Sequence, residues 1–421
     1  MGCWGMEIDL RRLQGDLRDL GRIGLREADG GVYRMAFTDA DTEAKRWLSA
    51  RMEAAGLEVR MDGAGNVIGC RPGKNRETPV LVIGSHIDTV PCAGALDGAL
   101  GVLTGLEVLR AMADDGVELD RGVELIAFSD EEGRFGGMFG SQAFAGMVTP
   151  ETLNTAVDPA GVMLSEAMRA QGLDPWRALE ARRDPGSVAA YLELHIEQGP
   201  VLDAAGESVG LVEAITGLFK WTVTLRGEPN HAGTTPMDMR RDAFMGVADF
   251  VHEIPRLLDE NGSDLSRATV GRVDLLPGAA NTVPGTAAFT LDARDTDEGV
   301  LRELEMAMRK ALSAIARRRR LMFEFEESSW IAPVACDRGI LGLLEEGVGE
   351  LGLSHRRMPS GAAHDAQIMA SVAPVAMIFV ASREGRSHSP AEWSSWDDIA
   401  AGARLMRHAV EGMEGVLAGR G

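Results

Sequence analysis

The sequence predicts an α/β protein: a mostly parallel sheet with flanking helices, interrupted by an inserted α+β unit. Three observations carry this expectation. Strand-like and helix-like patterns alternate through the first half of the chain. Two continuous apolar runs, PVLVIG (79–84) and VAMIFV (375–380), read as strands buried on both faces. The stretch 214–330 follows a different order of elements from the rest. A chain of 421 residues also exceeds one ordinary core, so more than one domain is expected.

In order, a helical pattern over 42–55 leads to two short strands around the turn Gly63-Ala64-Gly65, then to the buried strand 79–84. Leu103, Leu106 and Leu109 recur at helical spacing within 98–112, and a further strand, 123–128, runs into Ser129-Asp130-Glu131-Glu132. The middle stretch reads as strand 220–226, helix 240–258, strands 268–276 and 286–293, a helix through 301–316 and strand 321–326. That β-α-β-β-α-β order is that of a ferredoxin-like sandwich, able to fold by itself. The simplest organisation is a first domain over 1–213 completed by 331–421, with 214–330 inserted between them.

Composition excludes several classes of function. With 45% hydrophobic and 25% charged residues the chain fits a globular protein. A formal charge of −21 disfavours nucleic acid and anionic membranes, whose phosphates need clustered Lys and Arg. The four arginines at 317–320 end a helical pattern, where cations complement the helix dipole. Cys3, Cys70, Cys92 and Cys336 form no C-x-x-C pair, which suits a reduced, cytoplasmic setting. The start MGCWGMEIDLRR lacks the apolar core of a signal peptide, and Met6 stands where an acylation signal wants Ser or Thr. No run approaches the 18 apolar residues of a membrane span.

Only eight histidines are present, so their positions are informative. His86 and Asp88 follow a buried strand, where open α/β sheets place ligand sites, and a spacing of two points both side chains the same way in extended chain. One can ligate a metal while the other fixes its ring; a polar loop is the plain alternative. Asp97 precedes a helix and is equally readable as an N-cap. Glu131 and Glu132 are adjacent carboxylates at a strand end; buried together they call for a cation, whereas in solvent they are an acidic turn. In extended chain they point opposite ways, one to a metal and one to the attacking water. His195 lies on the polar side of the alternating strand YLELHI, and His388 in a loop after 375–380. Together, four strand ends deliver His, Asp, Glu, His and His with one spare Glu. This set supplies two divalent ions with three protein ligands each if one Asp bridges. Imidazoles with carboxylates suit zinc, and also manganese, cobalt or nickel.

The ordered blocks GSHIDTV (84–90), ALDGALG (95–101), DEEGRFG (130–136), LELHIEQGP (192–200), PNHAGTTPM (229–237), NTVPG (281–285), LDAR (291–294), SGAAHDA (360–366) and SHSPAEW (387–393) span the chain. Through them it resembles the hydantoinase/carbamoylase branch of the two-metal aminopeptidase and aminoacylase superfamily, which includes N-carbamoyl-L-amino-acid hydrolases, allantoate amidohydrolases and β-ureidopropionases. LELHIEQGP discriminates most, because peptidases and aminoacylases of the superfamily place an acidic ligand where this branch has His195.

The resemblance implies a two-metal aminopeptidase-like α/β fold with an inserted dimerisation and lid domain. It assigns His86, Asp97 and His195 to one metal and Asp97, Glu132 and His388 to the other, with Asp97 bridging. Glu131 is then the general base, and His231 reaches the partner subunit's site to stabilise the developing oxyanion. Asn281 and Arg294 hold the substrate carboxylate, Gln198 and His364 line the pocket, and Asp88 supports His86 from behind. The implied substrate is a small carbamoyl or ureido carboxylate, and the implied assembly a homodimer with a shared site. N-carbamoyl-L-amino-acid hydrolysis leads, ahead of allantoate amidohydrolase and β-ureidopropionase. A dipeptidase or aminoacylase is opposed by His195. An inactive scaffold is opposed by the six filled metal and base positions. Cys92 and Ala363 depart from the family pattern beside the site and bear on substrate identity.

Overall fold

The structure, a computed structural model, describes residues 7–419. Cys3, Met6 and the expectations about a leader or acylation signal fall outside the described residues. Among the described residues Cys70, Cys92 and Cys336 are all unpaired, and no helix is long and apolar enough to cross a membrane. The chain divides into two compact units: one runs to Glu213 and resumes at Cys336, and the other is Ala214–Ala335.

In the first unit the sheet runs in the order Glu58–Met61, Val67–Arg71, Val123–Phe128, Val80–His86, Val188–Ile196, Val375–Val380, Val209–Ile215. Its four inner strands, from Val123–Phe128 to Val375–Val380, are parallel to one another, and antiparallel strands extend it on both sides. Helices cover both faces of the inner strands, which explains their uninterrupted apolar runs. His195 and Glu193, read as the polar side of an alternating strand, are therefore as buried as Leu192 and Leu194.

The helix Ala99–Asp114 is buried around most of its circumference. Gly101 lets its backbone approach the carbonyl of Leu194, where any Cβ would collide. This close seating brings the residues just before the helix to the C-terminal ends of the parallel strands, the edge at which such sheets bind ligands.

The second unit contains strands Gly217–Arg226, Arg267–Leu276, Thr286–Asp295 and Met322–Ile331, with helices Ala243–Asn261 and Glu298–Arg319. Its sheet places Met322–Ile331 beside Gly217–Arg226, then Thr286–Asp295, then Arg267–Leu276 at the edge, and every pairing is antiparallel. Trp221, Val223, Phe289 and Leu291 from the sheet pack with Phe250, Leu304, Met308 and Leu312 from the helices into one core. The last strand is longer than the pattern at 321–326 indicates, running on through Glu327 and Ser329 to Trp330, which packs against the core, and Ile331. Arg318 and Arg319 of the basic run pair with Asp249 of the facing helix.

Candidate metal centre

His86 is the last residue of Val80–His86 rather than lying beyond it. Its Nδ1–H donates to the backbone carbonyl of Asp88 at 3.0 Å, which leaves Nε2 facing the cluster, 3.7 Å from Asp97 Oδ1. The Asp88 carboxylate stands beside Nδ1 as well, with Oδ1 at 3.8 Å. It also accepts from the backbone N–H of Glu131 at 3.3 Å and of Glu132 at 3.2 Å. The hydrogen bond from His86 itself goes to the Asp88 carbonyl.

His195 is held in the same way. Its Nδ1–H donates to the Ile196 carbonyl at 2.9 Å, and Nε2 lies 3.1 Å from Asp97 Oδ1. Fixing the outer nitrogen to a backbone acceptor sets both the ring plane and which nitrogen faces a ligand. Asp97 itself is not an N-cap. That position belongs to Gly98, whose φ of +64° is left-handed, with no side-chain cap bond. A Cβ at Gly98 would strike the His86 imidazole, so glycine there makes room for the ligand ring.

Glu131 and Glu132 diverge, but not as an extended pair. Asp130 has a φ of +55° and turns the chain, while its carboxylate accepts from the Phe135 N–H at 3.0 Å. Glu131 Oε2 reaches to 3.5 Å from His86 Nε2. Glu132 Oε2 lies 3.3 Å from His388 Nε2, which is 3.4 Å from Asp97 Oδ2. Two groups of donors result, His86–Asp97–His195 and Asp97–Glu132–His388, sharing Asp97.

A third group, Glu193–His195–His364, was not legible in the sequence. Its outer members are already engaged. Glu193 accepts from Ser85 Oγ at 2.7 Å, Tyr191 OH at 3.1 Å and the Ala366 N–H at 3.0 Å, and His364 Nε2 pairs with Ser360 Oγ at 2.9 Å. The pair brackets His195 from below rather than offering a third site. His364, expected to line the substrate pocket, is buried with its ring 4.5 Å from that of His195. Burial, reinforced by His195, holds it well below the usual histidine range and neutral. Gln198 turns toward the cluster through a φ of +58°, and its Nε2 donates to Asp97 Oδ2 at 2.7 Å.

The donor set fits divalent cations. Glu132 Oε1 is buried without a hydrogen-bond partner. Burial, then the charges of Asp365 and Glu132, pushes Glu131 well above the usual carboxylate range. Burial alone would lower His195, yet the Asp97 carboxylate outweighs it and lifts the ring to about 9. The hydrogen bond to Glu132 likewise raises His388 to about 9. Burial lowers His86 instead, so the carboxylates draw positive charge onto two of the three imidazoles, as a carboxylate-rich cluster that can accept cations does.

The remaining candidates lie in the second unit. His231 Nδ1 accepts from the backbone N–H of Gly233 at 3.0 Å and of Thr234 at 3.2 Å, so the ring proton sits on Nε2 as an exposed donor. His231 pairs with Thr282 in a two-residue ladder, and the Asn281 carbonyl accepts from the Ala232 N–H at 2.9 Å. Arg294 stands elsewhere, near the far end of Thr286–Asp295, with Nε donating to Asp292 Oδ1 at 2.8 Å. From Thr286, the end beside Asn281, to Arg294 is eight positions of strand, roughly 26 Å at about 3.3 Å per residue. Asn281 and Arg294 of one chain therefore stand at opposite ends of this strand.

A parallel sheet whose strand ends collect histidines and carboxylates into one buried cluster is the layout of a metal-dependent hydrolase. The profile of Peptidase family M20/M25/M40 matches residues 82–412. The chain is 42% identical over 406 residues to an N-carbamoyl-L-amino acid amidohydrolase of Geobacillus stearothermophilus, covering 96% of this chain and 98% of that one. It is 38% identical to an allantoate amidohydrolase of Escherichia coli strain K12, covering 90% and 92%. The crystal structure of a hydantoinase/carbamoylase family amidase from Burkholderia multivorans superposes with a TM-score of 0.88 at 35% identity, covering 96% and 98%. The chain belongs to peptidase family M20/M25/M40 and, within it, to the hydantoinase/carbamoylase amidases. Members of the M20 family depend on two metal ions, and this chain has the His, Asp and Glu clusters to hold them.

Proposed function

We propose that this chain hydrolyses the carbamoyl or ureido C–N bond of a small carboxylate substrate, with N-carbamoyl-L-amino acids the leading class and an amino acid, ammonia and carbon dioxide the products. The observation that carries this reading is His195 standing on a parallel strand, 3.1 Å from Asp97, at the position where peptidases of the superfamily place a carboxylate. The similarity to the Geobacillus enzyme supports it over nearly the whole chain. Allantoate is the second substrate class, favoured by the likeness to the Escherichia coli enzyme; N-carbamoyl-β-alanine is the third.

His86, Asp97 and His195 would hold one ion and Asp97, Glu132 and His388 the other; zinc suits these donors best, with manganese, cobalt and nickel close behind. Bound there, the ions supply a Lewis acid for the substrate carbonyl and a lower pKa for the attacking water. Glu131, in neither ligand group, takes the proton from that water and hands it to the departing nitrogen. The exposed Nε2–H of His231 donates to the carbonyl oxygen as it gains charge, and the Arg294 guanidinium grips the substrate carboxylate.

The length of Thr286–Asp295 supports a site shared between two copies. With His231 and Asn281 near one end and Arg294 near the other, one substrate takes Arg294 from one chain and His231 with Asn281 from its partner. The edge strand Arg267–Leu276 leaves backbone groups open for pairing, and Val273 and Leu276 are exposed on it.

The substrate reading is tested by ammonia release from N-carbamoyl-L-amino acids, N-carbamoyl-β-alanine, allantoate and ureidoglycolate, after stripping metal and restoring one ion at a time. Turnover of N-carbamoyl-L-amino acids is expected to lead, and a clear preference for any other member displaces the reading. For the shared site, a mixed dimer of Glu131→Gln and His231→Ala chains should regain part of the activity that each homodimer lacks. Mixing that restores nothing would remove His231 from the partner's site.

A further inference from the structure

The cluster depends on two residues outside the ligand set. Glu392 is 6% exposed, and its Oε1 accepts from the backbone N–H of Leu96 at 2.8 Å and of Asp97 at 3.1 Å. Its other oxygen lies 3.3 Å from Ser387 Oγ, and that hydroxyl donates to Asp97 Oδ2 at 2.6 Å. Gly94 leaves the space the Glu392 side chain occupies, since a Cβ there would collide with it. Both residues belong to the loop that carries His388, and their bonds to Leu96 and Asp97 reach the loop that carries Asp97; Ser387 Oγ also accepts from Gln198 Nε2 at 3.5 Å.

The two ligand groups differ in what holds them. His86 and His195 end parallel strands, with their outer ring nitrogens fixed by backbone carbonyls. His388 sits on a loop, half exposed, with a left-handed φ of +52°. His388 lies on no strand, and the Ser387–Glu392 bridge ties its loop to Asp97.

We propose that Ser387 and Glu392 act as a positioning pair that locks the His388 loop to the Asp97 loop and so builds the Asp97–Glu132–His388 subsite. The inference rests on the two-ion reading above. Glu392 works through hydrogen-bond acceptance: two buried backbone N–H groups lose their partner when it is removed, and Asp97 is free to turn away from His388. The His86–Asp97–His195 subsite keeps its strand supports and is affected less.

The test uses the full-length metal-stripped protein titrated with cobalt(II), followed by visible absorption and by metal analysis of the recovered protein. Wild type should take up two equivalents. Glu392→Leu should bind the first equivalent with affinity near wild type and the second at least about tenfold more weakly, with KM little changed and kcat reduced in proportion to second-site occupancy. Glu392→Gln should restore the second equivalent, because its amide oxygen accepts the same two N–H groups and its nitrogen can donate to Ser387. Ser387→Ala should weaken the second equivalent several-fold and carries the test if the leucine variant does not fold. Second-site binding unchanged in Ser387→Ala or in Glu392→Leu overturns the proposal, as does equal weakening of both equivalents. A wild-type chain that holds fewer than two ions instead overturns the two-ion reading itself.

Discussion

Replacing Glu131 with Gln is expected to leave both ions in place and reduce kcat by about 10²- to 10⁴-fold, the usual worth of a positioned general acid–base group. The carboxylate reaches to 3.5 Å from His86 Nε2 but belongs to neither ligand group. Burial first, then the charges of Asp365 and Glu132, raises its proton affinity. That suits a group that must take a proton and return it, and cations beside it bring it back toward the working range. Glutamine keeps the shape and the backbone bond to Asp88 but cannot accept the proton. Paired measurements of kcat and metal content decide the matter: activity within tenfold of wild type would take the role away from Glu131, and loss of metal would make it a ligand.

Asp97→Ala should empty both subsites at once and take hydrolysis to background. Oδ1 faces His195 and His86, while Oδ2 faces His388 and is held by Gln198 and Ser387; among the described residues no other serves both groups. Wild type should also gain thermal stability when metal is restored, by about 2.7 kcal/mol at an ion concentration 100 times Kd. In the variant, melting should no longer respond to metal. A variant that still holds one ion stoichiometrically would show that one group of donors suffices without the bridge.

Much of this centre could be read from residue order because continuous apolar runs mark buried parallel strands, and such strands expose their functional side chains at one end. What could not be read was set by backbone turns that residue spacing does not encode. Spacing alone left the N-cap open as a plain alternative for Asp97, a position the left-handed Gly98 takes, and it did not show that His86 bonds the Asp88 carbonyl. Glu193 escaped notice because alternation in 191–196 suggests one solvated face, whereas both faces are covered. Glu392 lay within the SHSPAEW block, four residues after His388, yet only the fold shows that it reaches across to Leu96 and Asp97. Arg294 and Asn281 could have been separated in advance by counting the strand between them.

The carboxylate of Asp88, astride the amides of Glu131 and Glu132, bears on how such an enzyme can be altered. A single side chain sets the phase of two consecutive residues, one proposed to move protons and one proposed to bind metal. Drift at this point would detune both functions together, so neither can be adjusted without the other.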